Sequence, residues 1–141
     1  MKRTAEAQWN GSIKEGAGSI STQSTTLNKT QYSFNARFAD GVGTNPEELL
    51  GASHAGCFTM AVSTALAQAG FTANDLHTKA TVELDVTGPK IAGIHLELTA
   101  GAIDGVSADT FNEIAEGAKA NCPISKALSA TPITLSVTYA G

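Results

Sequence analysis

Asn45-Pro46-Glu47-Glu48-Leu49-Leu50-Gly51-Ala52-Ser53-His54-Ala55-Gly56-Cys57-Phe58 reads as the opening of a helix. Asn45 can cap it, Pro46 suits the first helical position, and Glu47 and Glu48 place negative charge in the first turn, where the helix dipole favours it. From Leu49 to Ala69 the residues are apolar or small nearly all round, and Gly70 closes the run. A helix without a polar stripe is a buried one, so this stretch predicts a long helix at the centre of the fold. Cys57 lies within it, and only one other cysteine, Cys122, occurs in the chain.

The flanking segments alternate as strands do. Gly11, Gly16 and Gly18 punctuate an opening hairpin, and Tyr32, Phe34, Ala36 and Phe38 then alternate with Ser33, Asn35 and Arg37. That period of two predicts a strand whose Arg37 points away from the aromatic face. Val82, Leu84 and Val86 alternate with charged or polar residues. After Gly88-Pro89-Lys90 the same happens at Ile94, Leu96 and Leu98, which predicts an antiparallel hairpin with one wet face. Ser107 should cap a second helix carrying Phe111, Ile114, Ala115 and Ala118. A short third helix follows, with Cys122 near its N-cap and Pro123 at its first position, and Ile133, Leu135, Val137 and Tyr139 make a final strand. With no repeats or linkers, the pattern predicts one α+β domain over 1–141.

Composition narrows the function. Among 141 residues, 42% are apolar and only 16% charged, a balance that suits a domain hiding part of its surface in an oligomer. The net charge of -4, with no cluster of Lys and Arg, argues against nucleic acid as a partner. Met1-Lys2-Arg3 is basic, but Thr4 to Trp9 lacks the apolar stretch of a signal peptide, and no segment reads as a membrane span. The expectation is a cytoplasmic protein with no membrane partner. In that reducing compartment two cysteines form a transient bridge more readily than a permanent one.

An ordinary thiol, with a pKa of about 8.5, is only a few per cent thiolate at neutral pH, so an active one needs an adjacent cation or helix dipole. Cys57 is therefore either a reactive thiol or a small apolar filler. Arg37 is, apart from Arg3, the only arginine. Its guanidinium is permanently charged and can hold a carboxylate while leaning toward a thiolate or peroxide oxygen. Glu47 can be that carboxylate. Ten residues of unbroken helix, however, put Glu47 about 15 Å along the axis from Cys57. The two meet only if the helix breaks, for which Gly51 and Gly56 are candidates, or if a second chain contributes. Cys122, in Asn121-Cys122-Pro123-Ile124-Ser125, stands where a helix start would lower a thiol's pKa. His54, three residues before Cys57, is either a packed histidine or, with both cysteines and His77 or His95, a zinc ligand.

Taken together, two blocks resemble the OsmC/Ohr family, and within it the OsmC branch: Phe38-Ala39-Asp40-Gly41-Val42-Gly43-Thr44 running on through Asn45 to Phe58, and Ala118-Lys119-Ala120-Asn121-Cys122-Pro123-Ile124-Ser125. The resemblance extends over the whole chain in element order. It implies antiparallel sheets with long buried central helices in an intertwined homodimer. It also implies a thiol peroxidase that reduces organic hydroperoxides to alcohols in oxidative stress defence, with no haem, flavin or metal cofactor. By resemblance Cys57 is the peroxidatic cysteine, Cys122 the resolving one, and Arg37 with Glu47 the pair that activates it. In the Ohr branch the arginine comes from an earlier segment; Trp9 to Ser33 holds none here, which favours the OsmC branch. Asn121 departs from the glycine expected before the second cysteine. The family also suggests a dithiol reductant such as dihydrolipoamide or a lipoylated protein. Two other classes remain open to the same residues: a zinc-stabilised structural module using His54 and both cysteines, and a non-catalytic carrier of small apolar ligands.

Overall fold

Gly11, at a φ of +97°, turns the chain at the end of strand β1 (Ala5–Asn10) and sends it back as β2 (Ala17–Thr22). A side chain there would be strained. The computed structural model describes residues Met1–Gly141, in two units, Met1–Leu49 and Leu50–Gly141. In the first, β3 (Thr30–Tyr32) joins β2 to complete an antiparallel sheet of order β1-β2-β3. A Cβ at Gly18 would collide with the Tyr32 ring and the Gln8 carbonyl, so glycine lets Trp9 and Tyr32 approach with ring centroids 5.4 Å apart.

The strand expected through Phe34 and Phe38 is instead a short helix, α1 (Phe34–Phe38). Five residues satisfy both periods, since Phe34 and Phe38 are also one helical turn apart, with ring centroids at 4.8 Å. The cap decides between them: Ser33 Oγ accepts the Ala36 N–H at 3.1 Å. Arg37 consequently does not point away from the aromatic side chains; its guanidinium carbon lies 5.3 Å from the Phe38 ring centroid.

Helix α2 (Pro46–Gln68) begins as the sequence dictates. Asn45 Oδ1 accepts the Glu48 N–H at 2.8 Å, and Asn45 Nδ2 donates to the Ala36 carbonyl at 3.1 Å. It ends at Gly70, whose φ of +86° lets the Phe71 N–H reach back to the Leu66 carbonyl at 2.9 Å. Neither Gly51 nor Gly56 breaks it. A Cβ at Gly51 would lie 3.4 Å from Val82, an ordinary packing contact.

Within one chain α2 is buried along one face. Gly51, His54, Phe58, Val62 and Leu66 face inward, whereas Met60 is 73% exposed and Ser53, Gly56, Ser63 and Thr64 are exposed with it. Composition gives only the lack of charged residues after the first turn, and here a face of small residues around Met60 lies open. By length and hydropathy α2 also qualifies as long and apolar enough to cross a membrane, against the expectation that no segment would. Its inward face instead belongs to a protein core, packed with Ile94, Leu96 and Leu98.

Beneath that face, β4 (His77–Asp85) and β5 (Lys90–Ala100) form the expected antiparallel hairpin, with an irregularity at Glu83/Leu84. Then come α3 (Ala108–Asn121) and α4 (Pro123–Ala127), before β6 (Ile133–Tyr139) lies parallel to β5. A parallel neighbour needs such a crossover, so the sheet of order β4-β5-β6 is mixed. Ser107 caps α3 as expected, its Oγ accepting from the Thr110 N–H at 3.2 Å. Phe111 from α3, fully buried, stacks on Tyr139 with centroids 4.4 Å apart. Burying one such side chain contributes about 1.5–3 kcal/mol.

Candidate active site

Cys122 ends α3 and begins α4. Its N–H donates to the Ala118 carbonyl at 2.9 Å, and Pro123 at the first position of α4 fixes the turn. Asn121, the departure from glycine, turns its side chain back to the Gly117 carbonyl at 2.9 Å and leaves the turn intact. The bend delivers a fully buried Cys122 sulfur to within 2.7 Å of the Cys57 sulfur from α2, both cysteines being free thiols. Closing from there to a disulfide of about 2.05 Å takes less than 1 Å of movement.

Burial pushes the Cys57 thiol up, and its contact with Cys122 adds to the rise against a single opposing amide, that of Ile124. Burial acts the same way on Cys122. There the contact from Cys57, the amide and hydroxyl of Ser125 and the Ile124 amide outweigh it, and the thiol lies below its ordinary value. The Ser125 and Ile124 amides reach the sulfur without forming a short cap hydrogen bond. Either thiol can donate its S–H to the other across this contact. Within residues 50–141 nothing cationic is set against Cys57 to reverse that order.

Cys57, half-buried, opens on a cleft of about 620 Å³ walled by Met60, Ala61, Ile114, Ala118 and Pro123 among others. That lining suits an apolar molecule of modest size.

In the first unit Arg37 and Glu47 form the expected pair. Arg37 Nε donates to both carboxylate oxygens at 3.1 and 3.2 Å, and Nη2 donates to Oε1 at 2.7 Å. Trp9, Tyr32, Phe34, Phe38 and Pro46 line a hollow beside the guanidinium. The structure therefore brings Cys57 to Cys122 and Arg37 to Glu47.

His54 is a packed histidine, fully buried with Nε2 2.8 Å from Ser125 Oγ. No group of three His, Cys, Asp or Glu side chains is arranged to hold a metal ion; His95 instead contacts Thr134 and Ser136 at 2.7 and 3.2 Å. Sequence reasoning passed over Ser125, which meets His54 and helps lower the Cys122 thiol. Its position directly after Cys122-Pro123-Ile124 was the available signal.

Residues 50–141 thus set a half-buried thiol against a second, fully buried one beside an apolar cleft. Residues 39–138 match the family model for OsmC-like protein. The chain is 46% identical over 131 residues to the peroxiredoxin OsmC of Escherichia coli (strain K12), covering 92% of each, and equally so to that of Shigella flexneri. Among solved structures, an OsmC-like protein from Mycoplasma pneumoniae superposes with a TM-score of 0.75 at 16% identity, covering 100% of this chain and 99% of the other. The organic hydroperoxide resistance protein OhrB of Bacillus subtilis does so with a TM-score of 0.70 at 24% identity, covering 96% and 98%. The chain belongs to the OsmC family, in its OsmC branch.

Proposed function

We propose that this protein is a thiol-dependent peroxidase that reduces organic hydroperoxides to alcohols. The observation that carries the reading is the 2.7 Å approach of Cys57 and Cys122 sulfurs beside an apolar cleft. The names of its relatives, peroxiredoxin OsmC and organic hydroperoxide resistance protein, point the same way. The Cys57 thiolate attacks the terminal peroxide oxygen, the O–O bond breaks, and the alkoxide leaves and takes up a proton as alcohol. Cys57 becomes a sulfenic acid, which condenses with Cys122 to a disulfide and releases water. A dithiol then returns both cysteines to thiols, its own pair becoming a disulfide; dihydrolipoamide or a lipoylated protein is the candidate reductant.

The working form is a homodimer in which one protomer's Arg37, held by Glu47, serves its partner's Cys57. Two observations support this: α2 leaves Met60 and a face of small residues open, and residues 50–141 set no cation against Cys57 to favour its thiolate. The test is peroxide consumption with a dithiol reductant, cumene hydroperoxide against hydrogen peroxide, on wild type and Cys57→Ser. Faster turnover of cumene hydroperoxide that vanishes in Cys57→Ser is expected. Undiminished turnover in Cys57→Ser contradicts the proposal.

A further inference from the structure

His54 carries a polar ring into the core of the second unit without full use of it. Nε2 meets Ser125 Oγ at 2.8 Å, while Nδ1 is buried without a hydrogen-bond partner. An apolar side chain of similar size would fill the space without an unpaired polar atom. Ser125, only 6% exposed, stands in the first turn of α4 three residues after Cys122, where its amide and hydroxyl act to lower that thiol, and Cys122 meets Cys57 at 2.7 Å. Four groups from α2 and the α3–α4 bend thus stand in line: His54, Ser125, Cys122, Cys57.

We propose that His54 and Ser125 are positioning residues for the second cysteine: the His54 Nε2–H fixes the Ser125 hydroxyl as a donor to Cys122 Sγ and holds that sulfur as the thiolate that attacks oxidised Cys57. The proposal rests on the thiol-peroxidase reading and adds residues to it. A thiolate only accepts hydrogen bonds, so Ser125 spends its one hydroxyl proton on the sulfur and its oxygen can then only accept from the ring. Nε2 must carry the proton, and Nδ1 is left as a bare lone pair, which accounts for its lack of a partner. The opposite direction would bury an Nδ1–H with nothing to receive it. Burial lowers the pKa of His54 and keeps the ring neutral, as suits a group that orients a donor and does not take the proton.

In the step it serves, an S–S bond forms between Cys122 and Cys57 as the S–O bond of the sulfenic acid breaks. The departing hydroxide takes a proton from solvent in the cleft and leaves as water. The titratable groups acting on the Cys122 sulfur are Cys57 and, through Ser125, His54. The core cluster to which Cys122 belongs, with Phe111, Ala115, Ala118 and Leu96 among its members, is apolar.

In a Cys57→Ser background Cys122 is the sole thiol, and its ultraviolet thiolate absorbance can be titrated. Ser125→Ala and His54→Leu are expected to raise the midpoint by about one pH unit or more, one lost hydrogen bond to a charged group. Ser125→Thr and His54→Gln, which keep a hydroxyl and an N–H donor, are expected to hold it. An equal midpoint with and without Ser125→Ala overturns the proposal; if His54→Leu fails to fold, the Ser125→Ala and Ser125→Thr comparison decides alone. With Cys57 present, Ser125→Ala should slow disulfide formation from the sulfenic acid about tenfold. Wild type that forms no sulfenic acid at Cys57 defeats the peroxidase reading, whereas an unmoved titration defeats only the role of His54 and Ser125.

Discussion

Arg37 grips Glu47 in a fork, with Nη2 2.7 Å from Oε1 and Nε shared between both carboxylate oxygens. Glu47 is the more enclosed partner, at 13% side-chain exposure against 39% for Arg37. The carboxylate thus orients a guanidinium whose Nη1 remains uncommitted and can meet a developing negative charge.

Removing that charge should show in the chemical step. Arg37→Ala is expected to slow peroxide reduction by about 10²- to 10³-fold, the usual cost of losing one preorganised charge stabiliser. Arg37→Lys should not restore it, because an ammonium cannot reproduce the fork. Glu47→Ala should do less harm, since Arg37 loses orientation but keeps its charge. Initial rates with cumene hydroperoxide check this, and an Arg37→Ala enzyme at wild-type rate would contradict it.

The dimeric arrangement makes a separate prediction. Arg37→Ala and Cys57→Ser chains are each expected to be inactive, yet a mixed dimer holds one site with both residues if the arginine acts across the interface. Co-expression of the two should recover activity. Light scattering across a dilution series accompanies it, and a fully active monomer would count against the arrangement.

Ser33→Ala tests why α1 is a helix. Losing the bond from the Ala36 N–H to Ser33 Oγ should cost about 1 kcal/mol. Chemical denaturation followed by the fluorescence of Trp9, in the same unit, reads the loss; unchanged stability would show that the cap does not hold the segment.

That segment marks where the sequence stops being legible. Asn45, Pro46 and Glu48 announce the start of α2 because capping is local chemistry, and the β4 and β5 alternations are long enough to fix their period. Residues 34–38 are too few to separate a period of two from one of 3.6. The parallel partnership of β5 and β6 depends on a crossover of more than thirty residues, which no local pattern encodes. Likewise, the apolar residues of α2 declare that water is unfavourable but not which face the chain itself covers. At the site, each cysteine's local setting was readable, as was the reach of Arg37 toward Glu47. The meeting of Cys57 with Cys122 came from resemblance, and Ser125 gained meaning only when His54 was seen against it.

His54 also predicts a pH dependence of stability. Its folded pKa lies below the ordinary 6.5, so between those values the unfolded chain binds more protons and stability rises with pH. Melting temperature should therefore be lower at about pH 5.5 than at about pH 7.5, and His54→Gln should reduce that difference. An identical pH profile in His54→Gln would assign the effect to other groups.

The central claim is that Cys57 takes the peroxide oxygen and Cys122 removes it. Reduced protein treated with one equivalent of cumene hydroperoxide and examined by intact mass tests it directly. Wild type should lose two hydrogens to a Cys57–Cys122 disulfide, Cys122→Ser should gain one oxygen at Cys57, and Cys57→Ser should not change. An oxygen gained in Cys57→Ser, or wild type left with two free thiols after the peroxide is consumed, would contradict the account.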